Sequence, residues 1–170
     1  MESSKITNLL SASRLGATQA ILSLLKTGID INSRNNATYT ALSRAVSNNH
    51  YEAVKILLEH NADANLIYEN KYNVLHIAAS DIEIDPRIVE ILIPKINDIN
   101  EKDNPHQNTA LWYACHFGYL NNYKIAEILL KHGADVNLVN AYGKTVIDMA
   151  EMRSEMPEIK RLIMKYTIQK

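Results

Sequence analysis

The 170-residue chain predicts an all-α fold, a solenoid of stacked helix-turn-helix units, and three observations carry that prediction. The first is a short pattern that recurs down the chain: "TNLLSA" from Thr7, "TALSRA" from Thr40, "NVLHIA" from Asn73, "TALWYA" from Thr109 and "TVIDMA" from Thr145, in steps of 33, 33, 36 and 36 residues. The second is an apolar pair later in each unit: Leu24 and Leu25, Leu57 and Leu58, Leu92 and Ile93, Leu129 and Leu130, Leu162 and Ile163. The third is a loop, "GIDIN", "NADAN", "NDIN" and "GADVN", closing four units at Asn32, Asn65, Asn100 and Asn137. Self-similarity at a fixed period marks a repeat architecture, in which no unit buries its own apolar face and stacking supplies the core.

Each unit reads as two helices. In the second, Leu42, Ala45 and Val46 mark one face of a first helix, and Val54, Leu57 and Leu58 one face of a second, at helical spacing. Ala12, Ala45, Ala78, Ala114 and Ala150 put a small residue at the same place in every first helix, where neighbours approach closely and a large side chain would force the stack apart. Thr7, Thr40, Thr109 and Thr145 suit helix starts, where a hydroxyl accepts from an orphan backbone N–H, and Asn73 suits the same role. The segment Asn140 to Gly143, "NAYG", predicts a type I turn.

The irregularities are equally readable. The third unit carries two extra residues between its helices ("DIEID"), and the fourth three ("YLNNY"), predicting lengthened loops around Ile84 and Asn121. Asp85 with Pro86 predicts a cap and first-turn proline, and Pro94 predicts that this helix stops early. Ile96 stands where a glycine commonly ends the helix, so the third unit is the least regular. The end units read as caps: polar "MESSK" lies outside the first helix, and Glu158, Lys160, Arg161 and Lys165 face outward from the last. One solenoid over 1–170 is expected, with no residues left for a second domain.

From Thr7 to Tyr166 these landmarks resemble the ankyrin repeat, whose T-P-L-H-x-A helix start falls in a unit of about 33 residues. On that resemblance the chain divides into repeats at approximately 5–36, 37–70, 71–104, 105–140 and 141–168, with hairpin fingers between them. The resemblance further implies that His76, at the histidine position of the pattern, ties neighbouring fingers together. It also implies that partners are gripped by the fingers and by the exposed side of the first helices, on a concave face.

Composition narrows the function. The formal charge is −1 with both signs mixed along the length, so no basic stripe exists to neutralise a phosphate backbone, and nucleic acid is not an expected partner. The single cysteine, Cys115, forms no internal disulfide, and the N-terminus has neither the apolar run nor the flanks of a signal peptide, so a cytoplasmic location is expected. No apolar run approaches the roughly 18 residues that span a bilayer, and no membrane partner is expected.

The stretch Asn108 to Asn121, "NTALWYACHFGYLN", sets Cys115 beside His116, the beginnings of a nucleophile and base or of a metal site. The register instead makes Cys115 a packed residue, and adjacent helix positions do not face each other. His60 and His132 occupy equivalent places near the ends of second helices, where histidine favours the C-terminus, and none of the six histidines has metal-ligand spacing. Gly143-Lys144-Thr145 is spelled like the end of a phosphate loop, but Leu138 stands where its first glycine belongs. Asp30, Asp63, Asp98 and Asp135 each hold the same loop position of their own unit and form no acid-base pair. Asn36 opens a glycosylation sequon that a cytosolic protein would not use. No catalytic residue, cofactor or metal is expected.

What remains is surface. By position within the resemblance, the contact candidates are Tyr39, Tyr72, Asn108 and Lys144 just before the helix starts, and Ser47, Asn48, Ser80, Asp81, His116, Phe117, Met152 and Arg153 late in the first helices. Trp112, Tyr113 and Tyr142 adjoin them. Tyr39 and Tyr72, one unit apart, are expected to form an aromatic ladder continuing toward Trp112, His116 and Phe117, since aromatics are the common anchors of interfaces; Trp112 has the alternative of packing between repeats three and four. The resemblance implies a non-enzymatic module, monomeric when unbound, that recognises a partner protein by occlusion or scaffolding, including inhibition of a cognate enzyme or toxin. A secreted effector binding host proteins, a small enzyme using Cys115 and His116, and a passive subunit of a homo-oligomer are the alternatives.

Overall fold

The structure, a computed structural model, describes residues 2–34, 38–117, 120–153 and 156–167. Ten α-helices and no strands occur among them: α1 Glu2–Arg14, α2 Thr18–Leu25, α3 Ala41–Ser47, α4 Tyr51–Glu59, α5 Val74–Ser80, α6 Pro86–Leu92, α7 Ala110–Phe117, α8 Leu120–Lys131, α9 Val146–Met152 and α10 Pro157–Thr167. Consecutive helices pair, α1 with α2 through α9 with α10. The first helices pack as one layer, α1 on α3 on α5 on α7 on α9, and the second helices as another, α2 on α4 on α6 on α8 on α10.

One continuous apolar core runs through both layers, from Leu9 and Ile21 to Ile159 and Ile163. Each fully buried leucine or isoleucine of this set, such as Leu42, Leu57, Leu92 and Leu129, contributes about 1.5–3 kcal/mol. The five alanines from Ala12 to Ala150 are all buried, as helices this close require.

Side-chain caps set the starts of four first helices, α3, α5, α7 and α9. Thr40 accepts from the Ser43 N–H and Ser43 answers by accepting from the Thr40 N–H, and Thr145 and Asp148 form the same reciprocal box. In α5 the box is Asn73 with His76. Thr109 accepts from the Trp112 N–H at 3.3 Å. Thr7 departs from expectation: it lies inside α1 and is exposed, because no glycine or proline interrupts residues 2–14 and the helix extends back to Glu2.

Repeat three behaves as its prolines require. Asp85 accepts from the Arg87 N–H with Pro86 in the first turn, α6 ends at Leu92, and a single 3-10 turn, Ile93–Lys95, carries Pro94. The loop before α6 is anchored by the fully buried Ile84 and by Asn49, which donates to the Glu83 carbonyl and accepts from the Asp85 N–H. Repeat four differs from expectation. Asn121 is in no loop, because α8 already begins at Leu120. The extra residues form an added turn of helix, pinned by buried Asn122, whose amide donates to the carbonyls of Ala79 and Asp81. Asn36 of the sequon lies outside the described residues.

Two hydrogen-bonded seams join the repeats. At the ends of the second helices, Asp30, Asp63, Asp98 and Asp135 each accept from the N–H two residues on, the Asx turn that shapes the loop. The asparagine closing each loop then accepts from the next loop: Asn32 from Asp63 N–H, Asn65 from Asn97 N–H and Asn100 from Asp135 N–H. Along the fingers, Asn104 N–H donates to the Asn70 carbonyl at 2.7 Å and Ala141 N–H to the His106 carbonyl at 2.8 Å. The Asn140 turn closes as predicted, with Gly143 donating back to Asn140 from a positive φ of 67° that favours glycine.

Candidate functional site

The fingers and the open side of the first-helix layer bound one face, and the sequence-derived candidates distribute along it unevenly. Tyr39 is half-buried at the start of α3, and the Arg44 guanidinium lies 3.9 Å from its ring centroid, a cation–π stack that holds the arginine in place. One repeat further along, Tyr72 packs against His76 at 5.4 Å and against Tyr113 at 5.7 Å between centroids. Tyr39 and Tyr72 line one pocket with Tyr68, Glu69 and Ile77.

The Tyr72 and Tyr113 hydroxyls belong to an internal chain. Tyr72 donates to the Tyr113 oxygen at 2.6 Å, and Tyr113 donates to Asp103 Oδ2 at 2.5 Å. Asp103 is fully buried, and its other oxygen accepts from the Asn108 N–H at 2.7 Å. Burial, then the bond to Asp103, pushes the Tyr113 phenol far above its ordinary value, so it acts here as a donor and not as a base. Asn108 corrects the sequence reading: it is buried, its side chain accepts from Asn140, and its carbonyl takes the bond from His76 Nε2 at 3.2 Å. A polar residue enclosed by two fingers must satisfy its own groups there and is not offered as surface. His76 bridges the fingers as the family pattern implies, and burial lowers its pKa.

The ladder also takes a different course from the expected one. From Tyr72 the next ring is Tyr113, not Trp112, which is half-buried and packed against the core. His116 is exposed and meets Phe117 edge to face at 5.3 Å between centroids. Its pKa is lowered by partial burial and then by the Arg153 cation, and Arg153 donates to the His116 carbonyl. Ser47, Asn48 and Ser80 bond back to carbonyls at the ends of their own helices, and Asp81 shapes the next loop by accepting from the Glu83 N–H. Lys144, Met152 and Tyr142 are exposed, Tyr142 with His106 stacked beside it at 6.0 Å.

Cys115 is fully buried, and burial pushes its thiol up to about 12. A thiol so placed supplies no nucleophile at neutral pH. Among the described residues no group of three His, Cys, Asp or Glu side chains could hold a metal ion, and no helix is long and apolar enough to cross a membrane.

Two residues on this face were missed by sequence reasoning, Arg44 and Arg14. Arg44 stands four residues after its cap, the position that Tyr113 and Ile77 hold in the following repeats, so carrying that offset along the chain would have found it. Asp103 was missed because a finger aspartate gives no sign of burial; its partner Tyr113 lies ten residues away in the next helix.

A family model described as "Ankyrin repeats (3 copies)" matches residues 2–68 and 75–170. The chain is 30% identical over 165 residues to the mitochondrial disaggregase of Bos taurus, covering 96% of this chain and 24% of that protein. It is 34% identical over 145 residues to the human ankyrin repeat and SOCS box protein 6, covering 81% of this chain and 34% of that protein. To alpha-latrotoxin-Lg1a of Latrodectus geometricus it is 32% identical over 114 residues, 65% of this chain and 8% of the toxin. The chain thus spans about a third or less of the curated relatives it matches. With the helix pairs, capped starts and bonded fingers, these matches show that the chain belongs to the ankyrin-repeat family, a fold of protein–protein interaction.

Proposed function

We propose that this chain is a non-enzymatic binding module that recognises one partner protein through the concave face between its fingers and first helices. It acts by occlusion or scaffolding, with inhibition of a cognate enzyme or toxin as the form we favour, and it works as a monomer in the cytoplasm. The five repeats divide at approximately 5–36, 37–70, 71–104, 105–140 and 141–168. The observation that carries the reading is two sets of side chains, Tyr39 and Tyr72 just before their helices and the exposed His116 and Met152 late in theirs, with Tyr142 exposed on the last finger, on a scaffold whose repeats are hydrogen-bonded to each other at both edges. A surface fixed in advance loses little entropy on docking, so an interface of about 800 Å² per partner suffices for tight binding.

Tyr72 and Tyr113 are tied into the scaffold, so the variants that test the face are Tyr39→Ala and His116→Ala together. Immobilised protein is exposed to extract of the cells that make it, and the retained protein is quantified. The double variant is expected to retain about a tenth or less, as loss of two interface anchors implies, with its thermal midpoint unmoved. Equal retention, with Glu90→Ala and Lys124→Ala on the second-helix side abolishing it instead, would place the contact on the wrong face and end this reading.

A further inference from the structure

Between α1 and α3, at the first-repeat end of the same face, lies a pocket of about 110 Å³ lined by Thr7, Leu10, Ser11, Arg14 and Arg44. We propose that it is a carboxylate-binding pocket that receives an aspartate or glutamate side chain of the partner protein. The proposal rests on the concave face being the contact surface and names the chemistry it selects.

The lining holds two guanidinium groups and no carboxylate. Among the described residues the ion pairs lie elsewhere, Arg87 with Asp85 and Lys131 with Glu127, and the side-chain hydrogen bonds that reach Arg14 and Arg44 end on their backbone carbonyls, not on their guanidinium groups. Two like charges sharing one pocket repel each other, and an entering anion relieves that repulsion. Stacking on Tyr39 at 3.9 Å covers one face of the Arg44 guanidinium while leaving the N–H donors at its edge unspent. A planar fork held this way loses little freedom when it closes on a carboxylate with two parallel bonds, which a lysine cannot reproduce. Leu10, 5% exposed, supplies an apolar wall against which the charge interaction is screened less than in open water. The hydroxyl of Ser11 adds a neutral donor with no hydrogen-bond partner among the described residues.

The test is selection of peptides from a random phage library on the immobilised full chain, followed by fluorescence anisotropy with synthetic copies of the best binder. The selected pool is expected to be rich in Asp and Glu. Affinity is expected to fall about tenfold or more in Arg14→Gln with Arg44→Gln, by a similar factor when the peptide's acid is changed to its amide, and further as salt is raised. Arg44→Lys, which keeps the charge, is expected to be clearly weaker than the parent, a loss that charge alone would not give. Unmoved melting of these variants keeps the comparison one of binding. A pool without acidic enrichment, an empty selection, or acidic binders indifferent to both arginine substitutions would overturn the pocket. If those same peptides still weaken with Tyr39→Ala and His116→Ala, the concave face stands without the pocket; if they respond to none of the four substitutions, the face itself fails. A phosphoserine copy binding about tenfold more tightly than the glutamate copy would reassign the site to phosphate.

Discussion

Replacing Tyr113 with Phe deletes a single oxygen and tests how repeats three and four are held together. That oxygen accepts from the Tyr72 hydroxyl at 2.6 Å and donates to Asp103 Oδ2 at 2.5 Å, the short distance of a charge-assisted bond. Asp103 is 0% exposed, so in the variant its Oδ2 is left without water or a donor while Oδ1 keeps the Asn108 N–H. Hydrogen bonds to charged groups are worth about 1.5–3 kcal/mol, and leaving the partner unsatisfied in a buried place costs on the order of that whole amount. The Tyr72 hydroxyl, on a half-buried residue, turns to solvent and adds little. The expected loss is therefore about 1.5–3 kcal/mol, or roughly 3–12 °C in the melting midpoint of a chain this long. Tyr72→Phe removes only the neutral donor and should cost about 0.5–1 kcal/mol. The double variant should match Tyr113→Phe alone, because without the middle oxygen the Tyr72 hydroxyl has no bond left to lose. Urea unfolding followed by circular dichroism measures all three. Unchanged stability in Tyr113→Phe, or a Tyr72→Phe loss equal to it, would show that Asp103 finds another donor and that the chain does not clamp the two repeats.

Two further outcomes follow from burial. Cys115 should remain unmodified by a thiol reagent in native protein and react fully only after unfolding; rapid native labelling would reopen a chemical role for it. Burial lowers the His76 pKa in the folded state, so below its unfolded value of about 6.5 the unfolded chain binds more protons than the folded one. Stability should therefore be constant above that pH from this cause and decline as pH falls from there toward the lower folded value. His76→Gln, which can still answer the Asn73 cap, should flatten the decline to the part owed to His116, whose pKa is also lowered; an unchanged slope would exclude His76 as its source.

The period, the helix pairs, the helix starts at Thr40, Asn73, Thr109 and Thr145, and the early stop at Pro94 were all legible in the residues, because each depends on local chemistry repeated in register. Thr7 misled because a cap is defined by what precedes it, and the residues before Thr7 are already helical from Glu2. Asn121 misled for the opposite reason: extra residues between two helices predict a longer loop, but Asn122 finds carbonyl acceptors in the repeat before it, and that tertiary bond holds the added residues in a helix. On the candidate face, position within the repeat located His116 and Met152 on open surface and the half-buried Tyr39 beside it. It could not separate them from Asn108 or from the Tyr113 hydroxyl, whose fates are decided by Asp103 and Asn140 in neighbouring fingers. A long-range hydrogen bond made at one joint alone is not written in a period.

The paired seams bear on how the molecule carries force. Because Asn104 bonds to Asn70 and Ala141 to His106 near the tips, while Asn32, Asn65 and Asn100 tie the opposite edge, opening the row of repeats at one joint stretches bonds on one side and compresses the other. Strain imposed by an ill-fitting guest would spread over several joints at once. A ligand must therefore match the curvature it finds, and misfit is penalised along the whole array instead of at a single contact.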